Sequence, residues 1–185
     1  MPKESDKIIL GIDPGTNLMG YGVIRAGTRT PHYIDMGVVD LKKSPDAYVK
    51  LRLILEKTGD LIERFMPDEV AIEAPFYGKN VQSMLKLGRA QGVAMAAVLS
   101  RDIPVAEYAP RKIKLAITGA GDASKEQVAG MLLRMFGLKE IPANLDATDG
   151  LAVAVCHFYQ KGKPEPGKGS KSWEDFIRKN PGRIR

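Results

Sequence analysis

The chain has a single cysteine, Cys156, and only two histidines, so it can form no internal disulfide and has no Cys/His cluster with zinc-ligand spacing. Cys156 is therefore expected as a buried core thiol. Long apolar runs are also lacking: the longest, residues 92–99, is far short of the roughly 20 residues that cross a bilayer. Residues 1–6 are polar and lead into no hydrophobic stretch of a secretion signal, which makes a cytoplasmic location, with no membrane partner, the expectation. No internal repeat or low-complexity tract organises the body. What is present is an ordinary globular composition, 44% hydrophobic over 185 residues, enough for one domain with a substantial core.

The net charge of +6 is local. Residues 161–185 hold 8 Lys or Arg against 3 Asp or Glu, whereas residues 1–160 hold 20 against 19. A nearly neutral domain, 1–160, thus carries a basic tail, 161–185, whose first part is rich in Lys, Gly, Pro and Ser and reads as a flexible linker. Such a tail suits contact with a polyanion or plain solubilisation.

Residues 7–13 contain the β-branched apolar run Ile8-Ile9-Leu10-Gly11-Ile12, closed by a Pro-Gly turn, and predict a strand buried on both faces with Asp13 at its end. A carboxylate there either caps the turn or meets a cation. Alternation over residues 19–25 and 33–41 adds two strands and makes a meander. From residue 46 the apolar period becomes helical up to Pro67, and residues 69–73 form a short strand ending in a second carboxylate, Glu73.

Residues 81–99 read as a helix whose small residues, among them Gly88 and Gly92, suit either tight packing on a sheet or a subunit interface. Residues 103–108 form another strand, and Pro110 opens a helix carrying Lys114. Ser124 and Gln127 make a capping box for the next helix, with Val128, Met131, Leu132, Met135 and Phe136 as its core face. Lys125 falls in the first turn, where a cation opposes the helix dipole, so a grip on an anion is one reading and chance the other. The last helix spans 144–159, with Asp146 and Asp149 on one face. As first-turn aspartates they are either simply solvated or functional. His32, expected in a turn, and His157 fit surface or helix-packing roles.

This order predicts an α/β fold, a mixed five-stranded sheet flanked by helices, with the first strand central. Asp13, Glu73, Asp146 and Asp149 would then enter one small volume, where four carboxylates need cations to stay ionised. An all-oxygen site suits Mg2+, with Mn2+ as a substitute. Two such ions are the usual device for hydrolysing a phosphodiester.

Gly11-Ile12-Asp13-Pro14-Gly15 with Gly20-Tyr21-Gly22-Val23, then Ala71-Ile72-Glu73, Phe76, Lys79-Asn80, Leu85-Lys86-Leu87-Gly88 and Asp146-Ala147-Thr148-Asp149-Gly150-Leu151-Ala152, resembles the RuvC family of Holliday-junction resolvases over residues 7–160. The resemblance implies a ribonuclease H-like fold and a homodimer that resolves four-way DNA junctions by symmetric nicks with Mg2+, leaving 5′-phosphate and 3′-hydroxyl ends. It implies that Asp13, Glu73, Asp146 and Asp149 are the catalytic metal-binding carboxylates. It further implies that Phe76 meets opened bases, that Lys114 and Lys125 handle DNA, and that RuvA and RuvB are partners. The first loop also resembles that of the actin, Hsp70 and sugar-kinase ATPases, although no second copy of it is present. A junction-binding protein that does not cut is the remaining alternative.

Overall fold

The computed structural model describes residues 7–44, 46–75, 80–140, 142 and 144–160. Three strands, β1 (Ile8–Asp13), β2 (Leu18–Ala26) and β3 (Pro31–Asp40), lead into helix α1 (Ala47–Phe65) and strand β4 (Glu69–Glu73). Then follow α2 (Val81–Leu99), β5 (Val105–Tyr108), α3 (Pro110–Thr118), α4 (Lys125–Phe136) and α5 (Asp146–Gln160). The strands form one sheet in the order β3-β2-β1-β4-β5. β1 is central, antiparallel to β2 and parallel to β4, as its apolar run requires.

Local chemistry sets the boundaries. The Asp46 side chain accepts the Tyr48 and Val49 amides to start α1, and Met66 ends it in the left-handed region at φ 46°. Pro110 opens α3, where its missing N–H costs nothing, and the predicted Ser124/Gln127 capping box starts α4. His32 lies in β3 rather than in a turn, because that strand begins at Pro31. Met131 is a second correction: it is exposed, since α4 buries only Val128, Ala129 and Leu132.

Each sheet face has its own core. One gathers Leu10, Ile12, Val70 and Ile72 under α1 and α2. The other gathers Ile9, Ile24 and Ala71 with α3, α4 and α5, and includes Cys156, fully buried as expected. Among the described residues, no helix is long and apolar enough to cross a membrane.

Candidate active site

Helix α5 approaches the sheet more closely than side chains would allow. A Cβ at Gly20 would stand 1.9 Å from the Asp146 carbonyl oxygen, and one at Gly22 would stand 2.2 Å from Leu151 Cα. Gly11 and Gly150 are equally tight, facing Gly150 and Tyr21 respectively. Gly11 and Gly22 are register partners on β1 and β2, so the glycines form one trough in which the helix backbone lies. The trough drops the first turn of α5 onto the end of β1. The sequence reading used these glycines as motif letters and missed their role; the Gly20-Tyr21-Gly22 alternation was the available signal.

That approach delivers the carboxylates. Asp13, Asp146 and Asp149 each offer an oxygen, and these atoms all lie within 4.8 Å of one another. Glu73 stands outside this trio. It ends β4 one register step beyond the Ile12–Ile72 pair, and with Asp13, Asp149, Lys114 and Lys125 it lines a cleft of about 250 Å³. Lys125 Nζ bridges Asp146 Oδ1 at 3.1 Å and Asp149 Oδ2 at 2.5 Å. The cation foreseen at this helix start therefore meets protein carboxylates. Phe76 lies outside the described residues.

The electrostatics are unbalanced. Burial, then the charges of Asp149 and Asp146, push the Asp13 carboxyl up to about 7, with Lys125 opposing. Burial, then Asp13 and Asp149, push Glu73 up to about 8 against Lys125 and Lys114. Burial raises Asp149 as well, against Lys125. Burial works against the Lys125 charge, but its bonds to Asp149 and Asp146 outweigh that and raise its pKa. Among the described residues, four carboxylates stand against two ammonium groups, which leaves a surplus of negative charge once all four are ionised. An oxygen-only donor set in which protons cling well above the ordinary carboxylate range fits a hard divalent cation.

A supporting contact also escaped the sequence reading. Gln91 of α2, largely buried, donates to Glu107 Oε2 at 2.8 Å and to the Glu73 carbonyl at 3.4 Å, which ties the end of β4 to its neighbours. Nothing in the helical period distinguishes this glutamine from a surface one.

A family model described as crossover junction endodeoxyribonuclease RuvC matches residues 9–157. A protein of that name from Bacteroides fragilis is 63% identical, covering 97% of each chain. One from Porphyromonas gingivalis is 56% identical over 100% of this chain and 99% of its own. Among solved structures, Thermus thermophilus RuvC in complex with Holliday junction substrate superposes with a TM-score of 0.75 at 33% identity, covering 83% of this chain and 94% of that one. The fold is thus ribonuclease H-like, as the resemblance implied, on the mixed five-stranded sheet that the element order predicted.

Proposed function

Because the chain belongs to the RuvC family of crossover junction endodeoxyribonucleases, we propose that it resolves four-way DNA junctions in recombination and repair by paired, symmetric phosphodiester hydrolysis. It is a hydrolase acting on DNA. The observation that carries the mechanism is the convergence of Asp13, Asp146 and Asp149, with Glu73 in the same cleft. A surface that only bound DNA would gain nothing from such acidity, and the family match does not favour the ATPase alternative.

Asp13, Glu73, Asp146 and Asp149 would hold Mg2+, or Mn2+ in its place, with two ions per site during the reaction. Bound there, the ions would supply an activated water and a positive charge for the leaving oxygen. The chain itself supplies rigidity: β1, β4 and the first turn of α5 fix the oxygens before substrate arrives, and Gln91 steadies the β4 end. Lys114 and Lys125 neutralise phosphates beside the cut, Lys125 exchanging its two aspartates for phosphate oxygens; its half-exposed side chain has the freedom to do so. Attack at phosphorus with departure of O3′ leaves 5′-phosphate and 3′-hydroxyl ends. Phe76 stacks on opened bases at the junction.

Symmetric cuts need two sites related by a two-fold axis, hence a homodimer. Its interface is the exposed side of α2, where Leu85 and Leu99 flank Gly88 and Gly92, at which an added Cβ would meet none of the described residues within 4 Å. Gly88→Trp should then yield monomer in sedimentation, and a clean dimer would refute the assignment. The RuvA and RuvB branch-migration proteins as partners, a cytoplasmic location, and a nuclease domain of residues 1–160 with a DNA-contacting tail at 161–185 complete the reading. The test is cleavage of a synthetic junction and of linear duplex of the same sequence. Paired nicks in the junction with Mg2+ alone are expected; equal cutting of the duplex, or cutting in chelator, contradicts the proposal.

A further inference from the structure

A second concave feature lies on the other side of the same strand end. The turn after Asp13 meets the start of α1 and one side of α2, enclosing a hollow of about 290 Å³ lined by Thr16, Asn17, Tyr48, Lys50, Lys86 and Arg89 over an aliphatic floor. Among the described residues, no carboxylate lines it. Lys50 Nζ is held by a neutral partner, Asn17 Oδ1, at 3.0 Å, and among the described residues none of the three cations makes an ion pair. Asp46, which precedes the lining residue Ala47, accepts the Tyr48 and Val49 amides on its Oδ1 and forms no ion pair with these cations. Three cations that line one hollow and form no ion pair repel one another, and an anion seated among them offsets that repulsion.

The position of the hollow says which anion. Ile12 belongs to the core under α1 and α2, and the turn 14–17 that follows β1 joins the carboxylate cleft, which Asp13 lines, to the hollow, which Thr16 and Asn17 line, as a short ridge of chain between them. Asn17 is four residues from Asp13, so chain reach limits their backbones to a separation of about 14 Å. Each strand of a duplex carries a phosphate for roughly every 3.4 Å of rise. A strand with one phosphate at the carboxylates that continues over the ridge brings another to the hollow. Tyr48, 77% exposed at the rim, offers a flat face to a sugar or base, for which a free inorganic ion has no use.

We propose that this hollow binds a backbone phosphate of the substrate strand, a few nucleotides from the phosphate that is cut, gripped by Lys86 and Arg89 with Lys50 beside them. The inference rests on the nuclease reading and extends it to the strand's path. The test uses synthetic junctions carrying one uncharged methylphosphonate, walked along the strand. Binding in chelator is measured for the wild-type protein and for the double variant Lys86→Gln, Arg89→Gln. One position a few nucleotides from the cut should weaken wild-type binding about tenfold and leave the variant indifferent. The variant's dependence of log K on log salt should be shallower by about 2. Lys86→Arg with Arg89→Lys, which keeps both charges, should keep the wild-type slope. Equal losses at every position, or the same positional sensitivity in both proteins, would overturn the proposal. So would saturable binding of inorganic phosphate that the double variant abolishes, without any positional effect. Cleavage of the unmodified junction in Mg2+, measured alongside, tests the underlying reading by itself. A positional effect without cleavage would leave the phosphate site standing and remove the nuclease.

Discussion

The two ends of helix α5 hold polar groups in opposite states. In its last turn, the Tyr108 hydroxyl lies 2.8 Å from His157 Nδ1, His157 Nε2 lies 2.9 Å from Glu69, and Lys7 reaches the other Glu69 oxygen at 2.9 Å. Burial, then the nearby Cys156 and Glu69, push the Tyr108 hydroxyl up to about 12; because the Glu69 carboxylate only accepts, a neutral His157 carries its proton on Nε2, and Nδ1 accepts from that hydroxyl. Nε2–H then donates to Glu69, and the network is satisfied from end to end. In the first turn, Asp146 and Asp149 join Asp13 and Glu73 in a crowd that Lys125 and Lys114 balance only in part. One helix thus carries a closed network that supports the fold and an open one that awaits partners. That difference supports the proposal that the first turn is the working end.

The largest expected effect separates the two ends by activity. Asp146→Asn should reduce junction cleavage roughly 10³-fold, a few kcal/mol of transition-state stabilisation, with binding retained. Unchanged cleavage would remove Asp146 from the site. Next is the trough that both ends depend on: Gly22→Val drives a side chain into Leu151 Cα and should cost about 3 kcal/mol in urea denaturation, since backbone cannot yield as a side chain can. A loss of a few tenths would mean that α5 does not need the trough. The smaller effects have opposite signs. His157→Ala should destabilise by about 2 kcal/mol, because Glu69 and the Tyr108 hydroxyl lose a buried partner. Asp13→Asn in chelator should stabilise by about 1 kcal/mol by relieving the crowd. Two changes of the same sign would erase the contrast.

Much of this was legible in sequence, and the reasons are local. The apolar run ending at Asp13, the helical period of α1, Pro110 and the Ser124/Gln127 box are all written within a few neighbouring residues, so strand, helix and cap follow from spacing. The central place of β1 followed from element order. The bridging of Asp146 and Asp149 by Lys125 was not legible, because α4 must first dock on α5 to bring the groups together. The His157–Glu69 pair joins residues 88 apart in the chain, and the Gln91 contact depends on which side of α2 meets the sheet. The trough shows in one strand's letters only as the Gly20-Tyr21-Gly22 alternation; that Gly11 joins it depends on cross-strand register, which those letters do not reveal.

The central claim, that the carboxylates at the head of α5 lack sufficient counter-charge until a divalent ion joins them, is tested most directly by thermal stability against pH, in chelator and in Mg2+. Asp13 and Glu73 titrate near 7 and 8 in the folded chain and near the ordinary carboxylate range of about 4 when unfolded, so the folded state holds more protons between those limits. Stability in chelator should therefore fall as pH rises from about 4 to 8. The increment conferred by Mg2+ should grow over the same interval, because binding requires the deprotonated carboxylates. A profile in chelator that is flat or rises across that interval, with a Mg2+ increment independent of pH, would contradict the account.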